Sequence, residues 1–212
     1  MKKLSKIKLI IFDLDGVLVD SKNNMRSAWN FVKKRNKLDV EFNEYFKHVG
    51  KPFNIILKSL RIIDKNKLIE KEYSKASIQY FDKIKLYKNV KKVLNLLKRN
   101  KKIVTAIVTS KNYRRTKKIL KLFKLKVDYV QCPRKGLRGK PYPDQILKVV
   151  KKFKIQKKKC FYVGDTIFDK EAALRSKINF VFAKYGYKIG ITKYKHTIKN
   201  IFETLDLLDE NK

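Results

Sequence analysis

Sulfur and imidazole are scarce in this chain: two cysteines and two histidines in 212 residues. Cys132 and Cys160 show neither metal-ligand spacing nor a disulfide framework, and Cys160 opens an apolar run, which reads as a buried thiol in a reducing compartment. His48 and His196 are the only histidines, and no cysteine or histidine is positioned to build a zinc site. Long apolar runs are missing as well. The first one follows Lys2, Lys3 and Lys6 and stops at Asp13, too short for a signal peptide or a membrane span. A cytoplasmic location without a membrane partner is the expectation. Acidic residues are few, 19 against 55 lysines and arginines, a formal net charge of +36.

That excess invites a nucleic-acid reading. Its distribution argues otherwise, because the lysines are spread through nearly every predicted helix and Asn and Ile are frequent too, as whole-chain compositional drift would produce. No specific nucleic-acid partner is expected. The field still attracts small anions and gives nonspecific, salt-sensitive contact with polyanions. Hydrophobic residues at 43% and charged ones at 35% describe a globular chain, long enough for one α/β core with a small inserted module.

What the sequence does contain is concentrated at Ile10 to Ser21, IIFDLDGVLVDS. An apolar run from Ile7 to Phe12, broken by Lys8, reads as a buried parallel strand. It delivers Asp13 and Asp15 to a turn at Gly16, where open α/β sheets bind ligands. An ordinary Asp-Gly turn explains Asp15 and Gly16 but gives Asp13 no reason. From Lys22 to about Leu86 helical spacing takes over, with Met25, Trp29 and Val32, then Phe42, Tyr45, Phe46 and Val49, a break at Gly50-Lys51-Pro52, then Ile55, Ile56, Leu60 and Ile63, and finally Ile69, Tyr73, Ile78 and Phe81. The aromatics at this spacing read as packing rather than base stacking.

Further buried-type strands are predicted at Ile103 to Val108, Val127 to Val130, Cys160 to Val163 and Phe180 to Ala183. Helices are predicted over Val90 to Leu97, Tyr113 to Phe123, Asp144 to Lys152, Phe168 to Ser176 and Ile198 to Leu208. Strands alternating with helices require a parallel sheet with right-handed crossovers. The expected architecture is an α/β, Rossmann-like core over residues 1–20 and 87–212, with residues 21–86 inserted as a helical cap.

The polar residues that invite chemistry all fall at strand ends. Asp165 and Asp169 follow Gly164, and if their strand neighbours the first, three or four carboxylates converge. Such a cluster repels itself unless a hard divalent cation with oxygen ligands is present, and Mg²⁺ is the natural one. A metal ion beside a free carboxylate suits phosphoryl transfer. Thr109 or Ser110 offers a hydroxyl for a phosphate oxygen, and Lys140, in the segment RGKPYPD, offers an ammonium.

Four segments in order carry a resemblance: DLDGVLVDS at Asp13 to Ser21, VTS at Val108 to Ser110, GKPYPD at Gly139 to Asp144 and GDTIFDKEAA at Gly164 to Ala173. With them the chain resembles the haloacid dehalogenase superfamily, in its phosphoglycolate-phosphatase-like and β-phosphoglucomutase-like branch with a helical cap. The resemblance implies a phosphatase in which Asp13 is nucleophile and metal ligand. Asp15 would be the acid and base, also giving its backbone carbonyl to the metal. Asp165 would bind the metal directly and Asp169 would ligate it or hold its water. Ser110 would hydrogen-bond the phosphoryl group, with Thr109 nearer a packing role, and Lys140 would neutralise charge and orient Asp13. Gly16, Thr109, Lys111 and the cap residue Lys51 are the positions set for contact with substrate.

The dehalogenating branch lacks the second acid, so Asp15 favours phosphate chemistry. Mutase-like relatives carry a histidine early in the cap, and Lys22 to Trp29 has none. The expectation is an Mg²⁺-dependent phosphomonoesterase acting, as monomer or homodimer, on a small anionic phosphorylated metabolite. A sugar phosphomutase and a nucleic-acid-associated protein or end phosphatase are the alternatives.

Overall fold

The computed structural model describes residues 7–208. Lys2, Lys3 and Lys6 lie outside the described residues. A six-stranded parallel sheet forms the centre, in the order β5-β4-β1-β6-β7-β8. Its strands are β1 (Leu9–Phe12), β4 (Val104–Val108), β5 (Tyr129–Gln131), β6 (Cys160–Gly164), β7 (Asn179–Ala183) and β8 (Thr197–Ile198). β1 is central, and every one of its residues is fully buried, as its unbroken apolar run requires.

Because side chains alternate along a strand, β1 feeds two cores. Ile10 and Phe12 join Val93, Leu97, Ile107 and Ile119 on the face covered by α5 (Val90–Arg99) and α6 (Tyr113–Leu122). Leu9 and Ile11 join Val108, Ile146, Tyr162 and Ala172 on the face covered by α7 (Asp144–Phe153) and α8 (Ile167–Arg175). The strand pairing decides where the acids go. Phe12 lies opposite Val163, and Asp13 N–H donates to the Val163 carbonyl at 2.9 Å, so the ends of β1 and β6 open on the same spot.

Between β1 and α5 the chain builds a helical layer with its own apolar cluster: α1 (Lys22–Arg35), α2 (Phe42–Phe46), α3 (Phe53–Ser59) and α4 (Leu68–Gln79) around Met25, Trp29, Tyr45, Ile56 and Tyr73. Trp29 stacks on Tyr45 with centroids 4.4 Å apart and donates its indole N–H to the Val40 carbonyl. Asn24 of α1 is buried and reaches two carbonyls at the end of α4, those of Ser77 (2.7 Å) and Tyr80 (2.8 Å). The chain enters and leaves this layer through a two-stranded antiparallel pair, β2 (Val19–Asp20) and β3 (Lys85–Leu86), too short to register in the hydrophobic pattern.

The C-terminal expectation needs correction. The predicted helix over Ile198 to Leu208 is instead the strand β8 followed by a single 3-10 turn, Ile201–Thr204. Thr197 and Ile198 pair with Phe182 and Ala183, and edge pairing with burial of Ile198 outweighs helical spacing in so short a segment. Asn200 then caps the turn, accepting from Phe202 N–H at 2.9 Å. Among the described residues no helix is long and apolar enough to cross a membrane.

Candidate active site

Asp13, Asp165 and Asp169 come together at the carboxyl ends of β1 and β6, each presenting a carboxylate oxygen within 4.8 Å of the others. All three are buried, with Asp165 and Asp169 fully so. The close approach depends on glycine. Gly16 has φ +84°, and a Cβ there would run into the Asp165 carboxylate. Opposite it, a Cβ on Gly186 would meet both the Gly16 carbonyl and Asp165.

The three carboxylates are engaged differently. Asp169 is fully occupied: Oδ2 accepts from Thr166 N–H (3.0 Å) and Thr166 Oγ1 (2.6 Å), while Oδ1 accepts from Lys140 Nζ (2.7 Å) and Tyr162 Oη (3.1 Å). With Thr166 it forms the capping box that starts α8. Asp165 Oδ2 accepts from Tyr187 N–H at 2.7 Å, but its Oδ1 is buried without a partner. Asp13 Oδ1 is ion-paired with Lys140 Nζ at 3.0 Å and has no further polar partner among the described residues. An orphaned, buried Asp165 oxygen within a cluster of three carboxylates at adjacent strand ends suits an oxygen-loving divalent cation.

Electrostatics agree. The Asp13 carboxyl is raised to about 7, first by burial; Lys140 pulls against this, and Asp169 and Asp15 add to it. Asp165 is raised well above the carboxylate range, first by burial and then by Asp169 and Asp13. Lys140 is 2% exposed; burial works against its charge, but Asp13 and Asp169 outweigh that and hold the ammonium above its ordinary value.

The second acid faces a different set of groups. Asp15 accepts from Ser21 Oγ and pairs with Lys111 Nζ at 3.1 Å. Lys111 is itself buried and its pKa falls to about 8, chiefly by desolvation and next by the charge of Arg115, with Asp15 opposing both. Ser110 donates to the Gly50 carbonyl at 2.6 Å, tying the end of β4 to the loop between α2 and α3. Thr109 is buried, and its Oγ1 accepts from Lys111 N–H at 3.2 Å. Lys51 does not reach the carboxylates; its ammonium lies 3.4 Å from His48 Nδ1 and from Ser59 Oγ and 4.8 Å from the Phe168 ring centroid. Asp13, Asp15, Ser110, Lys111, Lys140 and Lys51 nonetheless line one cavity of about 50 Å³.

Several participants escape the sequence reading. Tyr162 lies inside β6, yet its hydroxyl joins Lys140, Asp169 and the Val108 carbonyl. Tyr187, after β7, donates its N–H to Asp165, and its hydroxyl accepts from Ser21 N–H at 2.8 Å. The loop Tyr185-Gly186-Tyr187 follows a strand end, the same rule that singles out the other site segments. Arg115 stands four residues after Lys111 on an otherwise core-facing helix stripe with Thr116 and Ile119.

A family model described as haloacid dehalogenase-like hydrolase matches residues 10–183, a span that contains every acid of this cluster. The chain belongs to the haloacid dehalogenase-like hydrolase family. It is an enzyme, a phosphatase of that superfamily. Over 185 residues it is 30% identical to a protein of Caldanaerobacter subterraneus subsp. tengcongensis named as pyrophosphatase PpaX, covering 85% of this chain and 83% of that one. It is 28% identical to a phosphoglycolate phosphatase of Aquifex aeolicus, over 97% of this chain and 98% of the other. Among solved structures, a hydrolase from Pseudomonas syringae superposes with a TM-score of 0.83 at 23% identity, over 94% of this chain and 96% of that one, a likeness of fold.

Proposed function

We propose that this haloacid dehalogenase-like hydrolase cleaves the phosphomonoester of a small soluble metabolite, with Mg²⁺, through an aspartyl-phosphate on Asp13. The observation that carries the reading is the buried cluster of Asp13, Asp165 and Asp169 beside Lys140, with Asp165 Oδ1 left without a partner. Asp13, Asp165 and the Asp15 backbone carbonyl would hold the cation, and Asp169, whose oxygens are taken, would act through Lys140 or through a metal-bound water. When bound, the cation supplies charge neutralisation on the phosphoryl oxygens.

The chain's own residues account for the remaining steps. Asp13 attacks phosphorus, and the bond from phosphorus to the leaving oxygen breaks as Asp15 gives that oxygen a proton. Asp15 then takes a proton from the water that attacks the phosphorus and releases Asp13. Lys140 keeps Asp13 oriented and offsets negative charge; Ser110 turns its hydroxyl from Gly50 to the phosphoryl group. Residues 21–86 act as the cap over the site, with Lys51 and Gly50 on its inner loop, and limit the access of bulk water to it.

The relatives named as phosphoglycolate phosphatase and pyrophosphatase support a small anionic substrate. A screen of phosphorylated metabolites for phosphate release, with Mg²⁺ and with EDTA, tests the reading. Metal-dependent release from at least one monoester is expected. A folded sample inactive on all of them, including a small aryl phosphate, would remove it.

A further inference from the structure

The cavity contains more positive charge than phosphoryl transfer uses. Lys140 is neutralised by Asp13 and Asp169. On the far side of Asp15, Lys111, in the turn that precedes α6, and Arg115, in the first turn of α6, are 5% and 7% exposed. Lys111 has Asp15 as its ion-pair partner. Among the described residues no carboxylate lies within ion-pair distance of Arg115, and its buried Nε has no hydrogen-bond partner.

A guanidinium taken out of water without a counter-ion is costly, and a like charge beside it adds to the cost. Packing alone accounts for part of the arrangement, since the Arg115 Cζ lies 5.1 Å from the Tyr73 ring centroid. Contact with the ring face leaves the buried Nε–H still to be satisfied. Arg115, Lys111 and Tyr73 all line the same cavity as Asp13 and Asp15. A cavity of about 50 Å³ has room for about four water-sized groups. A short leaving group held at Asp15 would therefore bring its far end to these two cations.

We propose that Arg115, with Lys111 beside it, is the subsite for a second oxyanion, carboxylate or phosphate, on the leaving portion of the substrate. The fork of N–H donors matches two oxygens of either group, and the anion supplies the missing counter-charge. Arg115 is thus a specificity-determining residue of the site, deepening the reading of the preceding subsection, on which it rests.

The test compares ligands that differ only in the second charge. Calorimetric titration of the intact, Mg²⁺-loaded protein with phosphonoacetate, methylenebisphosphonate and ethylphosphonate needs no turnover. One charge-assisted contact corresponds to about 30-fold, so the wild type should bind one or both dianionic-ended ligands tighter than ethylphosphonate by at least that factor. The carboxylate and bisphosphonate arms tell which oxyanion is preferred. Arg115→Met should reduce the ratio to about threefold or less, and Arg115→Lys should leave it intermediate, as a point charge replaces the fork. Arg115→Gln gives the same reading should the methionine variant not fold. The ratio of kcat/KM for phosphoglycolate over ethyl phosphate should fall in parallel, mostly through KM. A wild-type ratio near one, or a ratio that survives loss of the guanidinium, overturns the proposal. Ethyl phosphate hydrolysed without discrimination would sink this inference alone, whereas no hydrolysis of any monoester would sink the phosphatase mechanism.

Discussion

Asp13 combines two demands that conflict in the free protein: the proposed role requires an anion that attacks phosphorus, and the carboxyl is buried among other acids. Its carboxyl, lifted from 3.8 to about 7, holds a proton in the folded state that the unfolded chain releases. Between those values the folded form binds more protons, so this group's contribution to stability is present at low pH and is lost as pH rises through about 7. Thermal melts in EDTA should therefore show stability declining across that window, with a shallower decline for Asp13→Asn, which removes one of the titrating acids. Identical slopes for the two proteins would contradict the assignment of the raised carboxyl to Asp13. Saturating Mg²⁺ should offset the wild-type decline, because a ligand bound only by the folded state stabilises it. The same Asp13→Asn variant should lose at least about a thousandfold in turnover, as removal of a nucleophile does, while its far-ultraviolet circular dichroism stays that of the wild type. Phosphate release near wild-type rates would take the nucleophile's role away from Asp13.

At the scale of elements, the site is held by the way α8 begins. The capping box of Thr166 and Asp169 satisfies the first N–H groups of the helix and in doing so fixes the carboxylate that grips Lys140. One short motif thus serves helix stability and lysine position together. Thr166→Ala should cost about 1–2 kcal/mol in urea denaturation, the usual worth of an N-cap hydroxyl. It should also lower kcat about tenfold or more, in the range for residues that orient a site from behind it; a stability loss with unchanged kcat would separate the two roles. The helical layer is joined to the core by a similar economy. Ser110 at the end of β4 donates to Gly50, whose φ of +110° lets the loop approach Thr166 and Phe168. Gly139, just before Lys140, leaves room for Pro52 on the same loop.

On the scale of the whole molecule, the formal charge of +36 acts on every anion that approaches. Among the described residues, the cations that line the cavity are Lys51, Lys111, Arg115 and Lys140. The remaining cations raise the local concentration of anionic substrate through a field that salt screens. Raising NaCl from about 50 to 300 mM should reduce kcat/KM several-fold through KM and leave kcat nearly unchanged, because the buried charges are shielded much less than the surface ones. A salt effect on kcat of equal size would show that the buried pairs themselves are disturbed.

Lys140, in an irregular segment among many lysines, stands out only beside the other site residues, but the pattern of apolar runs was enough to predict an alternating α/β core and to locate Asp13, Asp15, Ser110 and Asp165 just after strand ends and Asp169 at the start of the following helix, because buried strands and the turns after them are written locally. It failed where pairing between distant segments decides the backbone. Ile198 becomes a strand because β7 offers it an edge, and β2 and β3 exist only because they meet. What the amino-acid sequence determined by itself was the order of elements and the residue types at their ends. The tertiary structure alone decided that β1 and β6 are neighbours, so that carboxylates 152 positions apart share one spot. It also decided that Tyr162 and Tyr187, unremarked in their local runs, turn toward that spot and that Arg115 lines the adjoining cavity. Contacts across such separations depend on strand order and helix placement, which no local pattern of residues encodes.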